Sequence, residues 1–332
     1  MIEILETAPL VTVQDTGRLG ARKYGVGTGG AMDDLALKSI NLMLGDPCDS
    51  AVIEIPLLPF RVRFLRDTHF AIAGASGHAT LNGAALPAWW CGYARQGQEL
   101  VLKSFQDGAR CYLGLKGGID VPTVLGSKST QLRGNFGGLE GRYLQKGDCL
   151  AGKVTKAVVS EGFGLVPPWA QTEEHNEEDI AWRRDRVRVI AAAEHDLFKP
   201  EALDVFWSHN WQITSQSDRY GYRLKGPEVA LVEPVEMRSH GIVPGVIQIP
   251  PNGQPIIQMK DAQPTGGYPK LGTVISADIW KLAQTPAGHR IRFVNIRYED
   301  AADATRLHER YLSDMQRDLE MCFGFAERAF NE

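Results

Sequence analysis

Nowhere in these 332 residues is there an apolar run long enough to cross a bilayer, which argues against a helical membrane span. No excess of one charge is present either. Thirty-six Lys and Arg stand against 40 Asp and Glu, for a formal net charge of -4, too balanced to argue for a nucleic-acid or anionic-membrane partner. The first residues, "MIEILETAPL", lack the basic and apolar regions of a signal peptide. The five cysteines (Cys48, Cys91, Cys111, Cys149, Cys322) are odd in number and scattered, with no C-x-x-C; this disfavours a disulfide frame or zinc site and points to reduced thiols in a cytoplasmic protein. Eight histidines show no H-x-x-x-H or H-E-x-x-H spacing, so no metal site is expected. A G-x-S-x-G nucleophile elbow, internal repeats and low-complexity tracts are missing as well.

What is present is glycine, 35 of them, punctuating short apolar or alternating runs. "IEIL", "LVTVQ", "AVIEI", "FRVRFL", "HFAIAG", "HATLNG", "ELVLKS" and "ARCYLGLKGG" read as strands, with a tight turn at Leu81-Asn82-Gly83. After a change of character over Gly162 to Trp182, "RVRVI", "WQITS", "YRLKG", "GVIQIP", "PIIQM" and "RIRFVNI" read as strands again. Helices are expected at "AMDDLALKSINLMLG", with Asp33 and Asp34 in the first turn and Gly45 at the C-cap, at "SADIWKLAQ", with Ser276 as N-cap, and in the tail, where Ala304, Leu307, Tyr311, Met315 and Leu319 form one stripe. The fold class this implies is mainly β, barrels rather than a doubly wound sheet, in two modules over 1–170 and 181–332, the second ending in the C-terminal helix.

Gly25-x-Gly27-x-x-Gly30, followed by a helix and later by Glu54, matches a dinucleotide-binding pattern. That pattern works only when a buried parallel strand delivers the chain to the glycines. Here "QDTGRLGARKY" precedes them with four charges, so the glycines are read as backbone geometry and NAD is not expected. "LGSKST" (Leu125 to Thr130) resembles the end of a phosphate loop but has Pro122 where the first glycine belongs, and is read as an exposed turn. His78 is read as a solvated or core histidine.

Three loops of the second half are richer in chemistry than a connection needs. "SQSDRYGYRLKG" holds Gln216, Arg219 and Arg223; "EMRSHGIVPG" holds Arg238 and His240; "PPNGQPIIQMKDAQPTGGYPKLG" holds Gln258, Asp261, Gln263, Thr265 and Tyr268. Together they offer guanidinium groups for carboxylate or phosphate, amides able to pair both edges of an amide ligand, and titratable groups.

"VQDTGRLGARKYGVGTGGAMD", "GGIDVP", "SQSDRYGYRLKG" and "SHGIVPGVIQIPPNGQPIIQMKDAQPTGGYP" resemble the family of allophanate hydrolase subunit 2, KipA and the 5-oxoprolinase C subunit, also labelled the biotin-dependent carboxyltransferase family. The resemblance runs over about residues 1 to 310. It implies two cyclophilin-like β-barrel modules and, with a KipI-like B subunit and an A subunit, an ATP-dependent 5-oxoprolinase acting on a small cyclic amide. The alternatives it leaves open are a carboxyltransferase component of a urea carboxylase and a KipA-type regulatory module. Biotin attachment is not expected: Lys260 has Met259 before it but Asp261 after it, and no carrier domain is joined to this chain, which has the size of a stand-alone subunit. ATP is expected to be shared with or bound by the partners. The resemblance directs the site assignments: Arg219 and Arg223 for anions, Gln216, Gln258 and Gln263 for the amide, Thr265 in the same loop, Tyr268 to close the pocket, and His240 or Asp261 for proton transfer. Asp15 and Arg18 either reach the same site or pair structurally.

Overall fold

The computed structural model describes residues 1–153, 162–170 and 183–329, with side chains of the last helix as far as residue 322. The chain divides into two compact units, the first made of Met1–Arg18, Gly29–Gln171 and Glu309–Glu332, the second of Leu19–Thr28 and Thr172–His308. Part of the expected crossing between modules, residues 171–182, lies outside the described residues.

The first unit is one ten-stranded sheet. Its strands are β1 (Ile2–Thr7), β2 (Thr12–Gln14), β3 (Val52–Ile55), β4 (Phe60–Phe64), β5 (Thr68–Leu81), β6 (Ala84–Leu86), β7 (Trp90–Ala94), β8 (Glu99–Leu115), β9 (Cys149–Leu150) and β10 (Phe163–Gly164). The main path runs β10-β7-β5-β8-β4-β1-β9, while β3 joins β2 to β8 and β6 pairs with β5. Strict alternation decides which face is inside: in β4, Phe60, Val62 and Phe64 enter the core, and Arg61 and Arg63 face out to Glu99 and Glu3. Four expected strands merge into the two long ones, β5 and β8. Asn82 (φ 49°) and Gly83 (φ 88°) form the expected turn into β6.

Helix α1 (Asp34–Met43) is capped by Asp33, whose Oδ1 accepts from the Ala36 amide at 2.9 Å. Past its end Gly45 takes φ 62°, and Lys116 Nζ donates to the carbonyls of Leu44 (2.6 Å) and Gly45 (3.0 Å), placing a cation at the negative end of the helix. Glu54, the acid of the apparent dinucleotide pattern, is fully buried: its Oε2 receives the Met32 amide at 2.8 Å and the Tyr112 hydroxyl at 2.8 Å, and that hydroxyl accepts from the Asp33 amide. It anchors the entry of α1 from inside.

The second unit is a closed barrel in the order β11-β18-β15-β16-β13-β12-β19, formed by β11 (Arg186–Ala191), β12 (Trp211–Ile213), β13 (Gly221–Lys225), β15 (Val246–Gln248), β16 (Ile256–Gln258), β18 (Lys270–Val274) and β19 (Arg290–Asn295); β14 (His240–Gly241) and β17 (Thr265–Gly266) make a separate two-stranded flap. Only the β11–β19 closure is parallel. Helix α2 (Pro200–Ser208), which the strand-dominated pattern does not announce, starts on a proline and stacks Phe206 on Phe293, ring centroids 4.7 Å apart. Ser276 opens a 3-10 turn without capping it, and α3 (Ile279–Ala283) follows. Asp278, beneath this turn, takes Arg188 Nε at 3.0 Å and Nη2 at 2.6 Å, and Lys281 Nζ at 3.1 Å. Burial pushes the Lys281 ammonium down to about 8, with Asp278 opposing the shift.

Helix α4 (Tyr298–Ala329) places Ala301 and Ala304 against Ile275 and Ala277 in the second unit. In the first unit its Met315 and Leu319 pack on Leu42, with Phe163, Leu165 and Tyr311 around them. Of the expected stripe only Leu307 is exposed.

Candidate functional site

Most of the predicted site residues lie on the barrel unit, in the loops around β13, β16 and the flap. Arg219 and Asp261 are brought together. The guanidinium Nε and Nη2 sit 2.8 and 3.0 Å from the two carboxylate oxygens, with Asp261 buried. This two-pronged pair ties the loop before β13 to the loop after β16, and the Asp261 amide adds a bond to the Arg219 carbonyl at 2.9 Å. Both groups are thereby engaged with each other. Gly27 presses on the same loop: a Cβ there would come within 2.7 Å of the Ala262 carbonyl oxygen. Arg22 also donates to the Pro264 carbonyl at 3.3 Å.

Next to that loop runs a ladder of amides. Gln258 Nε2 donates to Gln248 Oε1 at 2.9 Å, and Gln248 Nε2 points to the Tyr268 carbonyl at 3.5 Å, both glutamines being buried. Gln248 is not among the sequence candidates, although a glutamine inside "VIQIP" carries the signal: an amide in an apolar strand needs a partner. The flap lies over it, since a Cβ on Gly266 would meet Gln248 Nε2 at 2.5 Å.

His240, opposite Gly266 in the flap, joins a cluster that contains two further unpredicted residues. Its Nε2 is 3.3 Å from Glu194 Oε1, and its Nδ1 is 3.0 Å from the Arg238 carbonyl. Glu194 is held on its other side by Lys270, through the amide at 2.6 Å and Nζ at 3.3 and 3.4 Å. Glu194 stands alone between an alanine run and His195, so no local pattern marks it. The remaining candidates line the surface: Gln216, Arg223, Gln263 and Thr265 are exposed, and Tyr268 is 47% exposed.

Asp15 and Arg18 belong to the first unit, where both are buried on the "LGSKST" loop. Asp15 accepts from Ser127 Oγ at 2.6 Å, from the Lys128 amide at 2.6 Å and from Ser129 Oγ at 2.5 Å. Arg18 bonds the carbonyls of Val124 and Ser129 and covers the Phe136 ring at 4.8 Å. The loop therefore turns its donors onto an internal carboxylate and does not fit a phosphate. In the same unit His78 Nδ1 lies 2.8 Å from Ser104 Oγ at the rim of a cleft of about 320 Å³, partly open to solvent, whose wall includes Trp89 and Leu102. Burial pushes the thiols of Cys91 and Cys111 up to about 12, which leaves them poor nucleophiles. Among the described residues no group of three or more His, Cys, Asp or Glu could hold a metal ion, and no helix is long and apolar enough to cross a membrane.

A sheet unit and a closed barrel carrying these loops define a carboxyltransferase domain, subdomain A and B: the model of that family matches residues 24–295, and the chain belongs to it. Along its length the chain is 40% identical to the 5-oxoprolinase C subunit of Escherichia coli (strain K12) over 315 residues, covering 95% of this chain and 97% of that one. It is 39% identical to the 5-oxoprolinase C subunit of Haemophilus influenzae over 318 residues, 96% of this chain and 98% of that protein. The crystal structure of the Kluyveromyces lactis urea carboxylase superposes with a TM-score of 0.85 at 27% identity, covering 95% of this chain and 29% of that one.

Proposed function

We propose that this chain is the C subunit of an ATP-dependent 5-oxoprolinase, opening 5-oxo-L-proline to L-glutamate with a KipI-like B subunit and an A subunit in a cytoplasmic complex. The observation that carries this reading is end-to-end similarity, at 40% identity, to a protein named as the C subunit of 5-oxoprolinase. On this reading the barrel unit supplies the amide site. Gln258 and Gln248 present side-chain amides of the kind that pair with a lactam, the Arg219–Asp261 pair fixes the loop bearing Gln263, and His240 is the group placed to move a proton. The reaction draws on ATP. The loop over 125–130 does not fit its phosphates, so the nucleotide is assigned to the partner proteins.

The test is to purify the three proteins together and follow ATP-dependent glutamate release from 5-oxo-L-proline. Release should require this chain; release that persists without it removes the 5-oxoprolinase reading. The likeness to the urea carboxylase favours a second reading, carboxyl transfer with a separate biotin protein. Lys260 itself does not fit a biotin-bearing lysine, since the Met259 before it and the Asp261 after it are both buried.

A further inference from the structure

Resting on the 5-oxoprolinase reading, we propose that Glu194 is a placeholder for a ligand carboxylate, and that the edge formed by His240, Lys270 and Arg238 receives small carboxylate ligands and so selects an acid over a neutral amide. Both ring nitrogens of His240 face acceptors, a carbonyl at 3.0 Å and a carboxylate at 3.3 Å. That contact set is satisfied when both nitrogens carry hydrogen, which makes the ring a cation. Lys270 adds a second positive charge, and Arg238, two residues from His240, a third; its side chain is exposed and makes no ion pair with another described residue. One carboxylate, Glu194, thus lies among three cationic groups.

The grip on Glu194 is uneven. Lys270 holds it through an amide at 2.6 Å and an ammonium whose side chain is only 9% exposed. The His240 side is a single 3.3 Å contact from a ring 43% exposed. A carboxylate arriving from solvent can take the Nε2–H in place of Glu194 while Lys270 keeps Glu194 fixed, so the exchange leaves no buried charge unpaired. Through the flap the same patch reaches the Gln248–Gln258 amides. A cyclic amide bearing an acid has one end for each. Urea, having no carboxylate, gains nothing from the cations.

The experiment compares 5-oxo-L-proline with its uncharged carboxamide, both as substrates of the assembled three-protein complex and as ligands of this chain alone by calorimetry. The wild type should prefer the acid. His240→Gln and Arg238→Gln should each lower the acid-to-amide preference by roughly tenfold, through KM rather than kcat. Glu194→Gln, which removes the competitor, should raise it a few-fold. Turnover with an acid-to-amide preference unchanged in His240→Gln and Arg238→Gln overturns the receptor and leaves the 5-oxoprolinase reading standing. If the complex has no turnover, that reading falls, and binding decides the receptor separately: acid preference lost in His240→Gln supports it, and equal or absent binding of the acid overturns it.

Discussion

At Glu54 a single carboxylate oxygen receives the Met32 amide and the Tyr112 hydroxyl in a fully buried setting. Replacing it removes the acceptor for two buried donors, and leaving a buried donor unmet costs more than a hydrogen bond contributes. Glu54→Leu should therefore destabilise the protein by about 2–4 kcal/mol in denaturant titration, and Glu54→Gln, which keeps an acceptor oxygen, by clearly less. An equal cost for both would contradict this role. Gly27 lives on the link from packing to function. Gly27→Ala would bring a methyl within 2.7 Å of the Ala262 carbonyl, displacing the loop that carries Asp261 and Gln263. Fold and melting behaviour should be nearly retained while substrate KM rises severalfold; an unchanged KM would detach that loop from the site. The glycine pattern was legible as backbone geometry because "QDTGRLGARKY" cannot be a buried strand. Glu54's true partners were not, because they come from residues 22 and 58 positions away in sequence.

Elements were most readable where periodicity was strong. The alternation of β4 and the capped α1 follow from sequence alone, while α2, nine residues long, was hidden among strands because its pattern covers little more than two turns. The merging of four expected strands into β5 and β8 was also hidden, since glycines at 74 and 77 sit at bulges rather than at ends. In α4, Met315 and Leu319 reach the core that Leu42 shares. Met315→Asp should bury a charge there and lower the melting temperature through a loss of about 2–4 kcal/mol, whereas Leu307→Asp, at an exposed position, should be nearly neutral. The 3-10 turn and α3 rest on Asp278 and Lys281. Because burial holds the folded Lys281 at about 8 against an ordinary value of 10.5, the unfolded chain binds its proton more tightly between those values. Wild-type stability relative to Lys281→Met should therefore rise as pH increases from 8 to 10.5. A gap that stays flat or narrows across that window would show that the folded ammonium is not depressed.

For the whole molecule, β class, barrel and C-terminal helix were legible from short strands and turns, and the loops carrying Arg219, His240, Gln258 and Asp261 stood out by composition. What composition did not show was pairing: that Arg219 and Asp261 hold each other, and that His240 works with Glu194 and Lys270, drawn from segments 46 and 30 positions away. Such groupings are set by barrel closure, which brings β11 beside β18. Membership of the carboxyltransferase family narrows the chemistry to small amides without choosing among them, and the cationic excess around Glu194 is the physical reason to choose an acid-bearing one. The deciding measurement offers the purified three-protein complex 5-oxo-L-proline and urea side by side, recording ATP consumption and product. ATP consumption with 5-oxo-L-proline, matched by glutamate release and absent with urea, is the predicted result; urea-dependent consumption with no glutamate from 5-oxo-L-proline would contradict it.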